Sequence, residues 1–394
     1  MNPRLPDAVC RQHSKHFGQP PQYMAYAPGR VEILGNHTDY NGGLALAAAI
    51  DSGICAAVSR RSEPSANLLA LDLNEAVNFA LHIPGPGQAD TSGNPLPLWA
   101  KYIAGVANGL PIGTGAHGGF DLSFSGNIPR GAGLSSSAAL AVASALVLAA
   151  LTNEKITPLD IATLCQRAEN EFAGARCGLL DQLSSLFGAD NALVAIDFQT
   201  LAARPITLPS AVVCLIADTG VRHTLAESSY NDRRHQCEAA ARFCAEILNR
   251  PITVLRDVAP AEFERLAPKM DAVIARRAKH VFDENRRVQE AIANLERGAL
   301  ADFGQLMFAS HQSSRENFEN SCPELDYLVE QAQQMPEVIG ARLSGGGFGG
   351  SVVIMTQPAA ADAIATALQK SFQERFHSSG PIRAIRPAAG ARLL

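Results

Sequence analysis

The sequence predicts an α+β protein of two unlike halves, and three observations carry that reading. The chain has 394 residues, enough for two or three domains of ordinary size, and its 47% hydrophobic content suits large cores. Up to about residue 205, short strand-like pieces alternate with turn-rich stretches. Beyond that point, long segments with charged faces and helical spacing dominate. The expected units are therefore 1–205 and 206–394. No internal repeat or low-complexity tract interrupts either.

In order along the chain, a short apolar run ends near residue 34 in a polar cluster. Residues 43–50 and 53–58 read as two strands. The segment 82–97 holds four Pro and three Gly and reads as an exposed loop. A helix over 98–110 carries the only Trp, Trp99. A strand at 120–124 leads through SGNIPRGAGLSSSAAL into an apolar helix. Further helices are expected over 158–172 and from about residue 179, with strands at 192–197 and 211–218. Residues 228–300 read as mainly helical, with charge on solvated faces. Two more helices are expected at 306–317 and 323–334. The Gly cluster 344–350 opens onto an apolar strand at 351–355.

Composition excludes several classes. Lys+Arg is 33 and Asp+Glu is 38, for a net charge of −5, and only six residues are Lys. A nucleic-acid or anionic-membrane partner wants a positive patch that this chain does not offer. The apolar run 138–151, broken only by Ser144, is too short to span a bilayer and reads as a buried helix. The first residues, MNPRLPDAVCRQHSKHFG, have no apolar stretch of the signal-peptide kind. Eight Cys lie far apart, in no zinc spacing, and read as reduced thiols. The expectation is a cytoplasmic, monomeric protein.

Four constellations can carry chemistry. In PRGAGLSSSAAL, Gly131 and Gly133 allow close backbone approach to a ligand. Ser135, Ser136 and Ser137 then open a helix whose first N–H groups and positive dipole end attract anions. One Ser would read as an ordinary helix cap; a Gly-x-Gly loop with three Ser reads as a phosphate cradle. No G-x-x-x-x-G-K-[ST] occurs, so a P-loop nucleoside triphosphatase is excluded. SGGGFGG, residues 344–350, has five Gly in seven, more than a turn needs, and is expected against a ligand or the first loop. In CGLLDQ, Gly178 breaks one helix and Asp181 falls in the first turn of the next, where the dipole favours its charged form. It can serve as base or orienter in phosphoryl transfer, or simply as a cap. Glu169 reads as a metal ligand or as a solvated helix residue. Finally, GRVEILGNHTDYNGG offers Arg30 as a fixed cation for a transferring phosphoryl group or for a surface ion pair. Its Asn36, His37 and Asp39 suit the hydroxyls of a polyol; DYNGG alone would be a plain turn.

GRVEILGNHTDYNGG, PRGAGLSSSAA and SGGGFGG, in this order and spacing, resemble the galactokinases of the GHMP small-molecule kinase family. AENEFAGARCGLLDQ and VRHTLAESSYNDRRHQC also look like galactokinase segments. The resemblance runs from about residue 27 to about 355. It implies a two-domain α+β fold of mixed sheets and helices, with the active site in the cleft between the halves. It implies transfer of the γ-phosphoryl of ATP, with Mg²⁺, to the anomeric hydroxyl of galactose. Arg30 and Asp181 match the catalytic pair. Ser137 and Glu169 match the magnesium ligands. His37, Asp39, Gly178 and Tyr230 match sugar contacts, with Asn36 beside them. Trp99 and Tyr102 fall where the family holds adenine, next to the Gly131–Ser137 loop.

Asn36 departs from that pattern. The family usually has Glu there, and Asn where this chain has Glu32. Either the two have traded places and still bond each other, leaving galactose as the substrate, or a neutral residue 36 admits a C6-modified sugar such as galacturonate. No Lys or Arg stands beside Asn36 in the sequence, which favours galactose. A catalytically dead sugar and ATP sensor is the remaining alternative, and the intact GLSSSAA and Arg30–Asp181 pair speak against it.

Overall fold

The computed structural model describes residues 4–81, 87–113, 118–129, 131–221, 226–377 and 380–394. Parts of the expected loop at 82–97 and of the VRHTLAESSYNDRRHQC segment, and Arg130 of the Ser-rich loop, lie outside the described residues.

The first half is built on a sheet of eight strands. These are β1 (Tyr23–Leu34), β2 (Leu44–Arg61), β3 (Ser65–Ala70), β4 (Glu75–Ala80), β5 (Gly119–Gly126), β6 (Ala192–Asp197), β7 (Ala202–Thr207) and, from the far end of the chain, β12 (Arg392–Leu393). The order is β12-β1-β2-β5-β3-β4, with β6 on β2 and β7 on β6. The β3–β5 pair is parallel and the others antiparallel, so the sheet is mixed. The two strands expected at 43–50 and 53–58 are one. A register shift between Pro28 and Arg30 on β1 absorbs the Asp51–Gly53 region that reads as a turn, so pairing with β1 continues past it.

The second sheet, entirely antiparallel, runs β11-β8-β10-β9, with β8 (Val213–Asp218), β9 (Val338–Ser344), β10 (Ser351–Thr356) and β11 (Ile382–Ile385). Sheet membership thus changes between Thr207 and Val213, while the final strand returns to the first sheet.

The helices of the first half are α1 (Arg4–Phe17), α2 (Leu98–Asn108), α3 (Ser136–Thr152), α4 (Pro158–Ala168) and α5 (Leu180–Phe187). Helix α3 is apolar on every side and is buried on every side, as such a helix must be. Helix α4 starts on a Thr157–Asp160 capping box with Pro158 at its first position, and widens into a π turn over Glu169–Ala173. That turn stops at Gly174 (φ +87°), not at Gly178 as the sequence suggests.

The second half contributes α6 (Ala226–Leu248), α7 (Pro260–Leu266), α8 (Ala272–Glu296), α9 (Leu300–Ser313), α10 (Pro323–Gln333) and α11 (Ala361–Phe376). The main core joins both halves: Val288 and Ala291 of α8, Phe303 and Met307 of α9 and Val353 of β10 belong to the same cluster as α3 and the first sheet. The expectation that charge on 228–300 lies on solvated faces fails at Arg277, Glu284 and Arg287, all buried. Glu284 and Arg287 pair inside the protein and Arg277 reaches out to Glu319, partners that a periodicity reading cannot see.

Candidate active site

The polar turn after β1 is shaped by its backbone. Gly35 and His37 have φ of +96° and +58°, which carries the chain out of the β ladder. Thr38 Oγ1 donates to the carbonyls of Gly35 and Leu44, and Asn41 Nδ2 donates to His37 O. Asp39, Tyr40 and Asn41 then form a single 3-10 turn.

Arg30 and Asp181, 151 residues apart, meet at the centre of the site. Arg30 Nε and Nη2 lie 2.7 and 2.6 Å from Asp181 Oδ1. Its Nη1 donates to the Gly133 carbonyl at 2.6 Å. Ser135 Oγ donates to the other oxygen of Asp181. Asp181 stands in the first turn of α5, and its side chain keeps a quarter of its surface exposed, whereas that of Arg30 keeps 7%. A fixed cation therefore braces a carboxylate that still faces open space.

Gly131 and Gly133 have φ of +70° and +71°, and Ser135 is itself left-handed at +57°, so the Ser-rich loop turns sharply before α3. Ser137 Oγ donates to Glu169 Oε1 at 2.9 Å, and Gln182 Nε2 donates to Glu169 Oε2 at 2.9 Å. Glu169 is buried rather than solvated. Burial, reinforced by the charge of Asp181, pushes its carboxyl up to about 7. No group of three or more His, Cys, Asp or Glu among the described residues forms a metal cage. An oxygen-only pair of Ser137 and Glu169 beside a phosphate loop nonetheless suits Mg²⁺, which is commonly held by one or two carboxylates plus substrate phosphates.

Two cavities flank this junction. One, of about 270 Å³, is bounded by Arg30, Asp39, Gly178, Asp181, Tyr230 and Gly346. The other, of about 540 Å³, is lined by Trp99 and Tyr102 together with Ser136 and Ser137. Arg30, Asn36, His37, Asp39, Gly178, Asp181 and Tyr230 thus share the first cavity, and Trp99, Tyr102, Ser136 and Ser137 the second, while Gly131, Gly133 and Ser135 line neither.

Gly178 has a packing reason for being glycine: a Cβ there would lie 2.0 Å from Asp39 Oδ2. Burial pushes the carboxyl of Asp39 up to about 6, against one hydrogen bond from the Tyr40 amide. Tyr230, from α6, stacks obliquely on His37, with ring centroids 4.8 Å apart.

His37 lines the small cavity, but its ring nitrogens are engaged by the protein. Nε2 is 3.0 Å from the Gly346 carbonyl, so it must be the donor, and Nδ1 then accepts from Tyr40 OH at 2.6 Å. Burial holds the ring neutral, pushing its pKa down to about 3. Its place is that of a wall and brace, not a free hydrogen-bonding group.

Asn36 is likewise saturated. Nδ2 donates to Gly345 O at 2.7 Å and to Glu32 Oε1 at 3.0 Å, and Oδ1 accepts from Asn320 Nδ2 at 2.8 Å. A cation absent from its sequence neighbourhood is supplied by β9: Arg342, wholly buried, donates to Glu32 Oε1 at 2.8 Å. Glu32 N also donates to Ser344 Oγ at 2.9 Å. The Gly-rich loop is therefore stitched to the end of β1 and the polar turn after it by Ser344, Gly345 and Gly346. The Glu32–Asn36 bond is the one expected if the two residues have traded places, whereas sequence reasoning missed Arg342 and Asn320. A charged residue inside the otherwise apolar strand before SGGGFGG was the available signal.

Comparison with known proteins follows the same division. Residues 11–60 match the galactokinase galactose-binding signature, residues 101–189 the GHMP kinases N terminal domain, and residues 291–374 the GHMP kinases C terminal region. The structure is similar to a Lactococcus lactis galactokinase complexed with galactose, at 28% identity and a TM-score of 0.88, covering 98% of this chain and 99% of that one. It shares its fold with a Methanococcus jannaschii mevalonate kinase (18% identity, 94% and 98% covered, TM-score 0.58). It also does so with a homoserine kinase from Cytophaga hutchinsonii (15% identity, 94% and 97% covered, TM-score 0.59). With N-terminal, C-terminal and sugar-binding signatures matched in order along one shared fold, the chain belongs to the GHMP kinases, on their galactokinase branch.

Proposed function

We propose that this protein transfers the γ-phosphoryl group of ATP to the anomeric hydroxyl of galactose, giving galactose 1-phosphate. The observation that carries the proposal is the Arg30–Asp181–Ser135 junction, in which Arg30 and Asp181 line the small cavity and Ser135 ties Asp181 to the loop whose next two residues, Ser136 and Ser137, line the other. Asp181 accepts the C1 hydroxyl proton or orients that hydroxyl for in-line attack. Arg30 fixes the position of Asp181 and places positive charge near the transferring group. The first amides of α3 and Ser135–Ser137 cradle the phosphates. Ser137 and Glu169 would hold Mg²⁺, which neutralises phosphate charge when bound. Asp39 accepts from sugar hydroxyls, with Gly178 and Tyr230 completing the walls, while Trp99 and Tyr102 face the adenine. Residues 1–205 then supply the phosphate loop and catalytic pair, and 206–394 close the site with the Gly-rich loop.

All eight Cys are free thiols, which supports a reducing, cytoplasmic setting. No helix among the described residues is long and apolar enough to cross a membrane. We take the working unit to be the monomer. A coupled ADP-release assay over galactose, glucose, mannose and galacturonate tests the function. Galactose should lead. Three carboxylates, Glu32, Asp39 and Asp181, line the small cavity against two cations, Arg30 and Arg176, and Arg30 is already paired with Asp181, so a uronate carboxylate would add like charge there.

Ser137→Ala should raise the Mg²⁺ requirement more than the galactose KM, because the hydroxyl faces Glu169 and not the sugar walls. A Mg²⁺ titration at saturating galactose measures this. An unchanged Mg²⁺ curve with a large shift in galactose KM would sink the assignment.

Asp39 predicts a pH dependence. Its charged form is the sugar acceptor, and burial raises its pKa to about 6. Below that pH, kcat/KM for galactose should fall about tenfold per unit, the slope of one proton. Stability moves the other way. A carboxyl whose folded pKa is raised binds more protons folded than unfolded, so acidification from 7 towards 4 stabilises the empty protein through this group. Asp39→Asn should lose the step near pH 6 from both profiles; profiles of parent and variant that superimpose would remove Asp39 from the sugar site.

A further inference from the structure

The sugar turn owes its conformation to a helix that never reaches the sugar cavity. Pairing of β1 with β2 ends at Leu34–Leu46, and the amides beyond it point away from the sheet, towards α8. Glu284 Oε2 accepts from Gly35 N at 2.8 Å and from Asn36 N at 3.1 Å. His280 Nε2, 3.1 Å from the Asn36 carbonyl, donates to it, and its Nδ1 accepts from Ser313 Oγ. Asn285 Oδ1 accepts from Leu44 N at 2.8 Å, at the other end of the turn. Residues 280 and 284 lie one above the other on a helix face, so one side of α8 grips both ends of the turn. Glu284 and His280 are wholly buried, and Arg287 Nε, 2.5 Å from Glu284 Oε1, fixes the carboxylate. None of the three lines either cavity described above.

We infer that Glu284, with Asn285 and His280, is a positioning residue for the sugar: it sets the backbone on which His37 and Asp39 stand, and so sets galactose affinity without touching galactose. This rests on the sugar reading of the small cavity. The physical ground is that a carboxylate bonded to two backbone amides makes charge-assisted bonds roughly twice as strong as neutral ones. Those amides belong to residues whose backbone has left the ladder, so nothing else among the described residues replaces that acceptor. Asp181, Ser137 and the nucleotide cavity lie on other elements and make no contact with this grip.

The test is galactose binding by calorimetry and steady-state kinetics in the full-length protein. Glu284→Gln keeps the shape, loses the charge and turns an amide N–H₂ towards Arg287. It should raise galactose Kd and KM about tenfold, with kcat at saturating sugar and ATP KM within about twofold. Asn285→Ala, at a half-buried position making one bond, should fold normally and raise galactose KM about threefold. Asn285→Asp, which keeps the acceptor, should restore it. A merely destabilising change would lower the active fraction, and hence apparent kcat, without selecting one substrate. The inference is overturned if galactose Kd stays within twofold in a folded Asn285→Ala protein. It is also overturned if Asn285→Asp behaves like Asn285→Ala, or if galactose and ATP constants move together. A parent that binds galactose without releasing ADP would refute the proposed reaction but leave this test in force. A parent that binds no galactose would overturn both.

Discussion

Asp181→Asn lowers turnover by about 10²- to 10⁴-fold, the usual weight of a positioned proton acceptor, while the protein stays folded and binds ATP. The geometry makes this a clean substitution. Arg30 presents Nε and Nη2 to one oxygen of Asp181, and an asparagine carbonyl can occupy the same position. Ser135 donates to the second oxygen; facing an amide N–H₂ instead, its hydroxyl rotates and accepts. Arg30 keeps its bond to the Gly133 carbonyl. The local hydrogen bonds survive, and only the charge and the proton-accepting capacity disappear. Single-turnover kinetics with saturating ATP and galactose, beside a nucleotide-binding titration, separate chemistry from binding. A variant within tenfold of the parent would mean that Asp181 neither accepts nor orients the C1 proton. A variant that unfolds would make Asp181 a brace for Arg30 and the Ser-rich loop instead.

What the sequence revealed and what it hid divide along physical lines. Helix α3 was readable because an apolar run interrupted only by Ser144 can only be buried, and the Ser residues at its start mark an unpartnered helix end. The first-turn position of Asp181 was readable for a similar reason, since Leu180 begins the helix. The meeting of Arg30 with Asp181 was not derivable from spacing; only the resemblance connected them. The charged face of α8 misled because Glu284 and Arg287 neutralise each other inside the protein, and a pattern of polar residues does not distinguish water from a buried partner. The single long strand β2 was hidden because a bulge in it, three residues facing Gly29 alone on β1, lets the ladder resume where Asp51–Gly53 suggests a turn. Glycines were misassigned in one instance: Gly174 ends the π turn, while Gly178 is needed for room beside Asp39.

Asn36→Glu, the change that would restore the residue type usual in the family, is expected to damage this protein by about 3–5 kcal/mol, the weight of an uncompensated buried charge. Asn36 is 1% exposed and its amide faces two acceptors, the Gly345 carbonyl and the Glu32 carboxylate. A glutamate there sets acceptor against acceptor and leaves two carboxylates sharing one cation, Arg342. It also forces an extra methylene into a filled space. Burial already pushes the carboxyl of Glu32 up, against Arg342, so one of the two acids will take a proton. The sign follows: a raised folded pKa means that the penalty is full at neutral pH and shrinks on acidification. Glu32→Asn alone should be comparably harmful, because it strands a wholly buried Arg342. If the two positions have traded residues, the double variant Glu32→Asn/Asn36→Glu again supplies one carboxylate, one amide and one cation. It should recover at least about 2 kcal/mol relative to the sum of the single changes, and regain galactose phosphorylation. Denaturant unfolding of the four proteins closes the cycle. Additivity within about 0.5 kcal/mol would show that positions 32 and 36 are not exchangeable. The same set settles the sugar, because either arrangement keeps an anion beside the cavity that a uronate would oppose. Galactose should stay ahead of galacturonate in the parent and in the double variant alike, and a parent that prefers galacturonate would overturn the galactose assignment.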